Sequence, residues 1–241
     1  MYCFFGDLSG FQKIVCNLPL ERQETRICQW IELVETTATR CEITNVKFIS
    51  DSIVATTDET PAELEKLVNF SKILLEEGLR LKLPLRGAIS QGDVKWTEKI
   101  VFGKAVVDAY QLASNQNWLG VAFCDNFQFP DSMWDIGKVI PFPVPLKEGK
   151  IILLPAVTWN IPSSNLLLQM TTGRGLTKSG EYLEWNYFNK LNNTAIFSLY
   201  LKSIIKIEKD TGKKVNVRHF QGFSPLEVIE HIIEGHPIVV G

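Results

Sequence analysis

The stretch MYCFFGDLSGF, residues 1–11, sets an apolar run against a single carboxylate, Asp7, followed by Ser9, Gly10 and a further apolar residue, Phe11. A second stretch, VKFISDSIVA, residues 46–55, repeats the pattern with Asp51 between Ser50 and Ser52. Both read as strands that want burial, and each is interrupted by an acid that burial alone does not select. A carboxylate in such a place is costly unless it is paired or holds a cation. Two acids, each at a strand end or hairpin tip, are the donor set that a pair of divalent metal ions beside a nucleotide requires. Taken one at a time they admit a plainer reading, with Asp7 capping the following helix and Asp51 serving only as a turn residue.

Outward from these stretches the pattern alternates. Residues 2–7 read as a buried strand that leaves through Leu8-Ser9-Gly10 into a helix stopped near Pro19. Residues 20–40 are helical, with Trp30, Ile31, Leu33 and Val34 as the apolar stripe. Asn45–Ser50 and Ser52–Thr57 form a hairpin whose tip presents Asp51. Glu59–Lys82 is a second long helix, with Thr60 as N-cap and Pro61 at its first turn. LPLRGAISQGDVKW, residues 83–96, reads as a strand, a turn at Gln91-Gly92 and a return strand. Gly103–Ser114 is a helix and Gly120–Cys124 a strand, and Val139–Val144 and Ile151–Leu154 are strands around a turn at Lys147–Lys150. From Ser163 the texture changes. TTGRGLTKSG (171–180) is a connector, Tyr182–Asp210 a long helical region, and Ser224-Pro225 opens a last short helix. The chain is therefore divided into an α/β core over 1–160 and a mostly helical extension over 161–241.

At 241 residues the chain suffices for one substantial domain, with or without an appended lobe. A formal net charge of −2 gives no basic excess, so nonspecific nucleic-acid binding has no compositional support. No segment approaches the roughly 18 apolar residues of a membrane span. Neither direct membrane insertion nor a signal peptide is expected. The five cysteines show no CxxC spacing. They read as free thiols of a reducing, cytoplasmic compartment rather than as zinc ligands.

The order strand, helix, helix, hairpin, helix, strand begins a ferredoxin-like fold. With the two acids in place, the chain resembles the catalytic domain of class III nucleotidyl cyclases over roughly residues 1–155. FGDLSGF, from Phe5 to Phe11, matches that family's opening F-x-D-[LIV]-x-[GS]-F, and the second acid follows at the family's distance, 51 − 7 = 44 residues. RGAISQG (86–92) resembles its R-x-G-I-x-x-G strand, and GKAVVDAYQLAS, from Gly103, its G-x-x-V-N-x-A-x-R-L helix. The GG[DE]EF hairpin of the diguanylate cyclases, which share the fold, is absent; ISDSI stands there. The expected fold class is α+β, an antiparallel sheet with helices on one face plus a helical C-terminal lobe.

The resemblance implies two divalent cations, Mn²⁺ or Mg²⁺, held by Asp7 and Asp51 with the main-chain carbonyl of Leu8. It implies a triphosphate cradled by the amides of Ser9, Gly10 and Phe11, where an opening helix favours an anion. Lys47 falls where adenylyl cyclases carry a base-reading lysine, and Lys147 where relatives contact the triphosphate. An edge lysine that snorkels and a solvated turn lysine are the plainer readings of these two. Class III sites form between protomers, which implies a head-to-tail homodimer.

The departures bear on the substrate. Val107 and Gln111 stand where purine cyclases carry an Asn and an Arg for ribose and transition state, and Ile100 stands for the adenine-reading Asp. Val has no hydrogen bond to offer and Gln no charge. Three readings follow. The first is a lyase that cyclises UTP or CTP, as in the stand-alone pyrimidine cyclases of bacterial Pycsar anti-phage systems, its product acting on a separate effector. The second is an adenylyl or guanylyl cyclase with an unusual base pocket, and the third a catalytically dead nucleotide-binding module. Arg40, Arg86 and Arg174 are the candidates to replace the lost arginine.

Overall fold

Six of the seven residues of β1 (Tyr2–Leu8) are buried, Asp7 being the exception, as befits a strand with a neighbour on either side. Its side chains alternate between two covered faces. Phe4 meets Phe70 edge-on at 5.8 Å, whereas Cys3 and Phe5 join Val54 and Ala88 in a separate apolar cluster. The computed structural model describes residues 1–125, 127–161, 185–212 and 215. They form two compact units, one of Met1–Ser114 with Leu119–Gln128, the other of Asn115–Trp118 with the chain from Phe129.

In the first unit the order is β1, α1 (Phe11–Asn17), α2 (Leu20–Arg40), β2 (Asn45–Ile49), β3 (Ser52–Thr57), α3 (Pro61–Arg80), β4 (Leu85–Gln91), β5 (Lys95–Trp96), β6 (Val101–Phe102), α4 (Lys104–Asn115) and β7 (Val121–Phe123). The sheet runs β2-β3-β1-β4-β7, antiparallel except between β4 and β7. This is the expected α+β core. The expected helix layer is α2 and α3, which pack together, with α3 on β1, β3 and β4. Thr60 caps α3 by accepting the Glu63 amide at 3.3 Å. The second face is covered by α4, whose Ala105, Ala109 and Ala113 lie on the Cys3–Phe5 cluster. A flat alanine stripe at i, i+4, i+8 lets a helix sit close to a sheet.

Two glycines are needed where they stand. Gly6 and Gly87 face each other across β1 and β4, and a Cβ on either would lie within 2.9 Å of the Phe4 ring. The return strand expected after Gln91-Gly92 forms differently. Lys95-Trp96 pairs with Val101-Phe102 as a two-residue ladder of its own rather than with β4.

In the second unit β8 (Val139–Pro145) and β9 (Ile151–Val157) make a hairpin. Pro141 faces Pro155, so the prolines at 141, 143 and 145 occupy positions where no ladder N–H is required. A long helix, α5 (Trp185–Thr211), packs on this hairpin. Phe197 contacts Trp118 and Phe142 at 4.9 and 4.8 Å, and the buried Tyr200 hydroxyl donates to the Pro141 carbonyl at 2.7 Å. This helix supplies the C-terminal helical element; Tyr182, Arg174 and Ser224-Pro225 lie outside the described residues. Among the described residues no helix is long and apolar enough to cross a membrane.

Candidate active site

Asp7 has the same parity on β1 as Cys3 and Phe5, so it continues the face that α4 covers. Its partner Arg86 reaches the last turn of α4, at the Ser114 carbonyl. The cross-strand neighbours of Asp7 are Ser52 on β3 and Arg86 on β4. Ser52 Oγ donates to Asp7 Oδ1 at 3.2 Å. Arg86 donates to Oδ2 through Nε at 2.9 Å and lies 2.8 Å from it through Nη2. The same guanidinium donates from Nη1 to the Ser114 carbonyl at 3.2 Å, one of the carbonyls left over at a helix C-terminus, where a cation is favoured. The helix-cap reading of Asp7 is thereby replaced. The N-cap of α1 is Gly10, in the left-handed region at φ 88°, with no side-chain cap.

Asp51 is the second residue of a two-residue tip, since Ile49 already pairs with Ser52. Ser50 takes the positive φ, 58°, that such tips demand of their first residue. The Leu8 amide donates to the Asp51 carbonyl at 3.3 Å, which fastens the tip to the end of β1. Burial raises the pKa of the Asp51 carboxyl above its ordinary value, and the charge of Asp7 pushes it the same way, against opposing hydrogen bonds and Arg86. A carboxyl whose charged form is disfavoured by burial and by a neighbouring carboxylate is a natural seat for a divalent cation. With the Leu8 carbonyl, Asp7 and Asp51 are the residues that would hold one. Among the described residues no group of three or more His, Cys, Asp or Glu is assembled for a metal, so the donor set rests on this pair and the main chain.

Ser9 is buried and its amide donates to the Pro84 carbonyl at 2.7 Å. That leaves Gly10 and Phe11 at the mouth of α1. Lys47 lies on β2 opposite Val54. Its ammonium donates to the carbonyls of Thr97 and Glu98 at 2.8 and 3.0 Å and stands 5.1 Å above the Trp96 ring. It therefore clasps the β5–β6 turn, which also carries Ile100, instead of snorkelling from an edge. Lys147 belongs to the second unit, where it is exposed in the turn between β8 and β9. Arg40 lines a cavity between the end of α2 and α3.

No family profile matches the chain, and no curated protein does. Solved structures do. The catalytic core of a rhodopsin-guanylyl cyclase with converted specificity, in complex with ATPαS, matches with a TM-score of 0.53 at 17% identity, over 65% of this chain and 94% of that one. A monomeric guanylyl cyclase domain from the aquatic fungus Blastocladiella emersonii matches with a TM-score of 0.52 at 16% identity, over 65% and 92%. The fold is that of a nucleotidyl cyclase catalytic domain.

On that fold the sequence departures take up positions. Gly103 starts α4 at φ 144°, where a Cβ would fall 2.2 Å from the Asp93 carbonyl oxygen. One turn on, Val107 is 50% exposed, and Gln111 is exposed a further turn along. Ile100 is 54% exposed. Sequence reasoning missed two features of the site. One is the direct pairing of Arg86 with Asp7, signalled only by their registration across antiparallel strands. The other is Ser52, which the sequence places at the start of the second hairpin strand with no sign of its bond to Asp7. Of the free thiols, Cys3, Cys41 and Cys124 are buried and Cys16 and Cys28 exposed. Burial pushes Cys3 and Cys124 up to about 12, which removes them as nucleophiles.

Proposed function

We propose that this protein is a metal-dependent nucleotide cyclase that converts UTP or CTP to the 3′,5′-cyclic monophosphate and pyrophosphate. The observation that carries the reading is the juxtaposition of Asp7 and Asp51, the one fixed between Ser52 and Arg86 and the other tied to the end of β1. Bound there with the Leu8 carbonyl, two divalent cations (Mn²⁺ or Mg²⁺) would supply Lewis acidity toward the ribose 3′-hydroxyl and the triphosphate. The chain's own residues do the rest. Asp7 and Asp51 provide the negative charge, and Gly10 and Phe11, with Ser9 behind them, hold an anion at the mouth of α1. Lys147 is assigned to the triphosphate, and Lys47 to the base side through the turn it clasps.

The pyrimidine assignment rests on Ile100, Val107 and Gln111. Two exposed apolar side chains and an uncharged amide replace the groups with which purine cyclases read base and ribose. A smaller base leaves fewer polar edges to satisfy, so an apolar wall costs less against it. The site is completed in a head-to-tail homodimer, one copy giving the metal acids and the other the groups that meet base and ribose. We assign residues 1–160 to catalysis and 161–241 to an extension. We place the enzyme in the cytoplasm, as a source of a second messenger for a separate effector in anti-phage defence.

Val107 and Gln111 also favour a second reading, a module that binds nucleotide without turning it over. One assay separates the two. Purified protein with Mn²⁺ and nucleoside triphosphates is expected to release pyrophosphate and a cyclic nucleotide, and Asp51→Ala to abolish both. Nucleotide binding without product, or Asp51→Ala activity within about tenfold of wild type, a loss of under about 1.4 kcal/mol, contradicts the enzyme.

A further inference from the structure

Arg86 takes more of Asp7 than any other group does. Two of its N–H groups converge on Oδ2, at 2.9 and 2.8 Å, while Oδ1 takes only the longer bond from Ser52. Both partners of the ion pair are largely sheltered, with side chains 13% and 20% exposed. The guanidinium is anchored on its other side by the Ser114 carbonyl. It is therefore a fixed positive charge, built into the face between β4 and the end of α4. It occupies an oxygen of the carboxylate that the proposed metal site takes as a ligand.

We infer that Arg86 is the resident counter-ion of Asp7, a latch that a divalent cation must displace before Asp7 can serve as its ligand. The inference rests on the metal reading of Asp7 and Asp51. An arginine stays protonated at any working pH, so this latch opens by competition and not by titration. It has two consequences. Without metal, the pair prevents a sheltered carboxylate from standing unpaired beside Asp51. As metal arrives, the cost of breaking the pair is subtracted from its binding, so the site fills only at higher metal concentration. The opposite arrangement is one in which Arg86 stays on Oδ2 and merely orients Asp7 toward the ion, and the two differ in sign.

The test is Mn²⁺ binding alone, without nucleotide, followed by calorimetry or by loss of the free-Mn²⁺ resonance. It uses the full chain, with circular dichroism confirming the fold of each variant. Arg86→Gln is expected to bind Mn²⁺ about tenfold more tightly than wild type or better, the scale of a charge-assisted hydrogen bond. Arg86→Lys keeps the charge but not the fork and is expected to fall between them, so it carries the test should the glutamine variant not fold. Binding by Arg86→Gln or Arg86→Lys that is equal to or weaker than wild type overturns the latch. Asp51→Asn separates the two ideas. If it loses Mn²⁺ binding while the Arg86 variants bind no better than wild type, the metal site stands and the latch falls. If wild type and every variant bind no Mn²⁺, both fall together.

Discussion

Asp51 carries the sharpest residue-level consequence. Its carboxyl titrates higher in the folded protein than in the unfolded chain, chiefly because of burial. A raised acid contributes stability below its ordinary value of 3.8 and loses that contribution as pH rises through the raised one. In the absence of metal, Asp51→Asn is therefore expected to melt a few degrees above wild type at neutral pH, with the gap closing below about pH 4. A thermal melt across pH in chelator checks this, and a variant less stable than wild type at pH 7 contradicts it. Added Mn²⁺ is expected to raise the melting temperature of wild type and to leave Asp51→Asn unmoved. Both acids were legible in the sequence because a carboxylate inside a strand pattern has few reasons to be there. The partners of Asp7 were not. Arg86 lies 79 residues away, and only the register of β1 against β4 brings it opposite.

At the scale of elements, the start of α4 is the most constrained point near the site. Gly103 holds a φ of 144° with the Asp93 carbonyl where a side chain would begin. Gly103→Ala is expected to destabilise the protein by about 1–3 kcal/mol from the backbone conformation alone, with a further penalty from the clash. Denaturant unfolding measures it, and a loss below about 0.5 kcal/mol, the range of neutral surface changes, would show that α4 starts differently. Thr60→Ala, by contrast, removes a single cap and is expected to cost about 1 kcal/mol. The sequence displayed strands and long helices through their period, and β1, α2, α3 and the β2–β3 hairpin formed where that period placed them. It displayed the helix that became α4, at Gly103–Ser114, but not that this helix covers the second face. Ala105, Ala109 and Ala113 give a weak hydrophobic signal while permitting the closest approach to the sheet. Nor did it display the pairing of β5 with β6, since two-residue strands have no period to read.

For the molecule as a whole, the reading rests on the exposed Ile100, Val107 and Gln111 of one copy facing Asp7 and Asp51 of a second. Specific activity is expected to rise with protein concentration and to fall on dilution below the dimer's dissociation constant, in step with the mass seen by sedimentation. Activity per molecule that is independent of concentration in a monomeric sample contradicts the shared site. The fold was legible because four motifs stood in order along the first half of the chain, from Phe5 to Ser114. The base was not, because what distinguishes it here is the absence of polar groups, and an apolar side chain does not announce what it meets. The direct measurement supplies purified protein with Mn²⁺ and each of ATP, GTP, CTP and UTP in turn and resolves the products by mass. The account predicts cyclic UMP or cyclic CMP; cyclic AMP or cyclic GMP alone, or no cyclic product from any of the four, contradicts it.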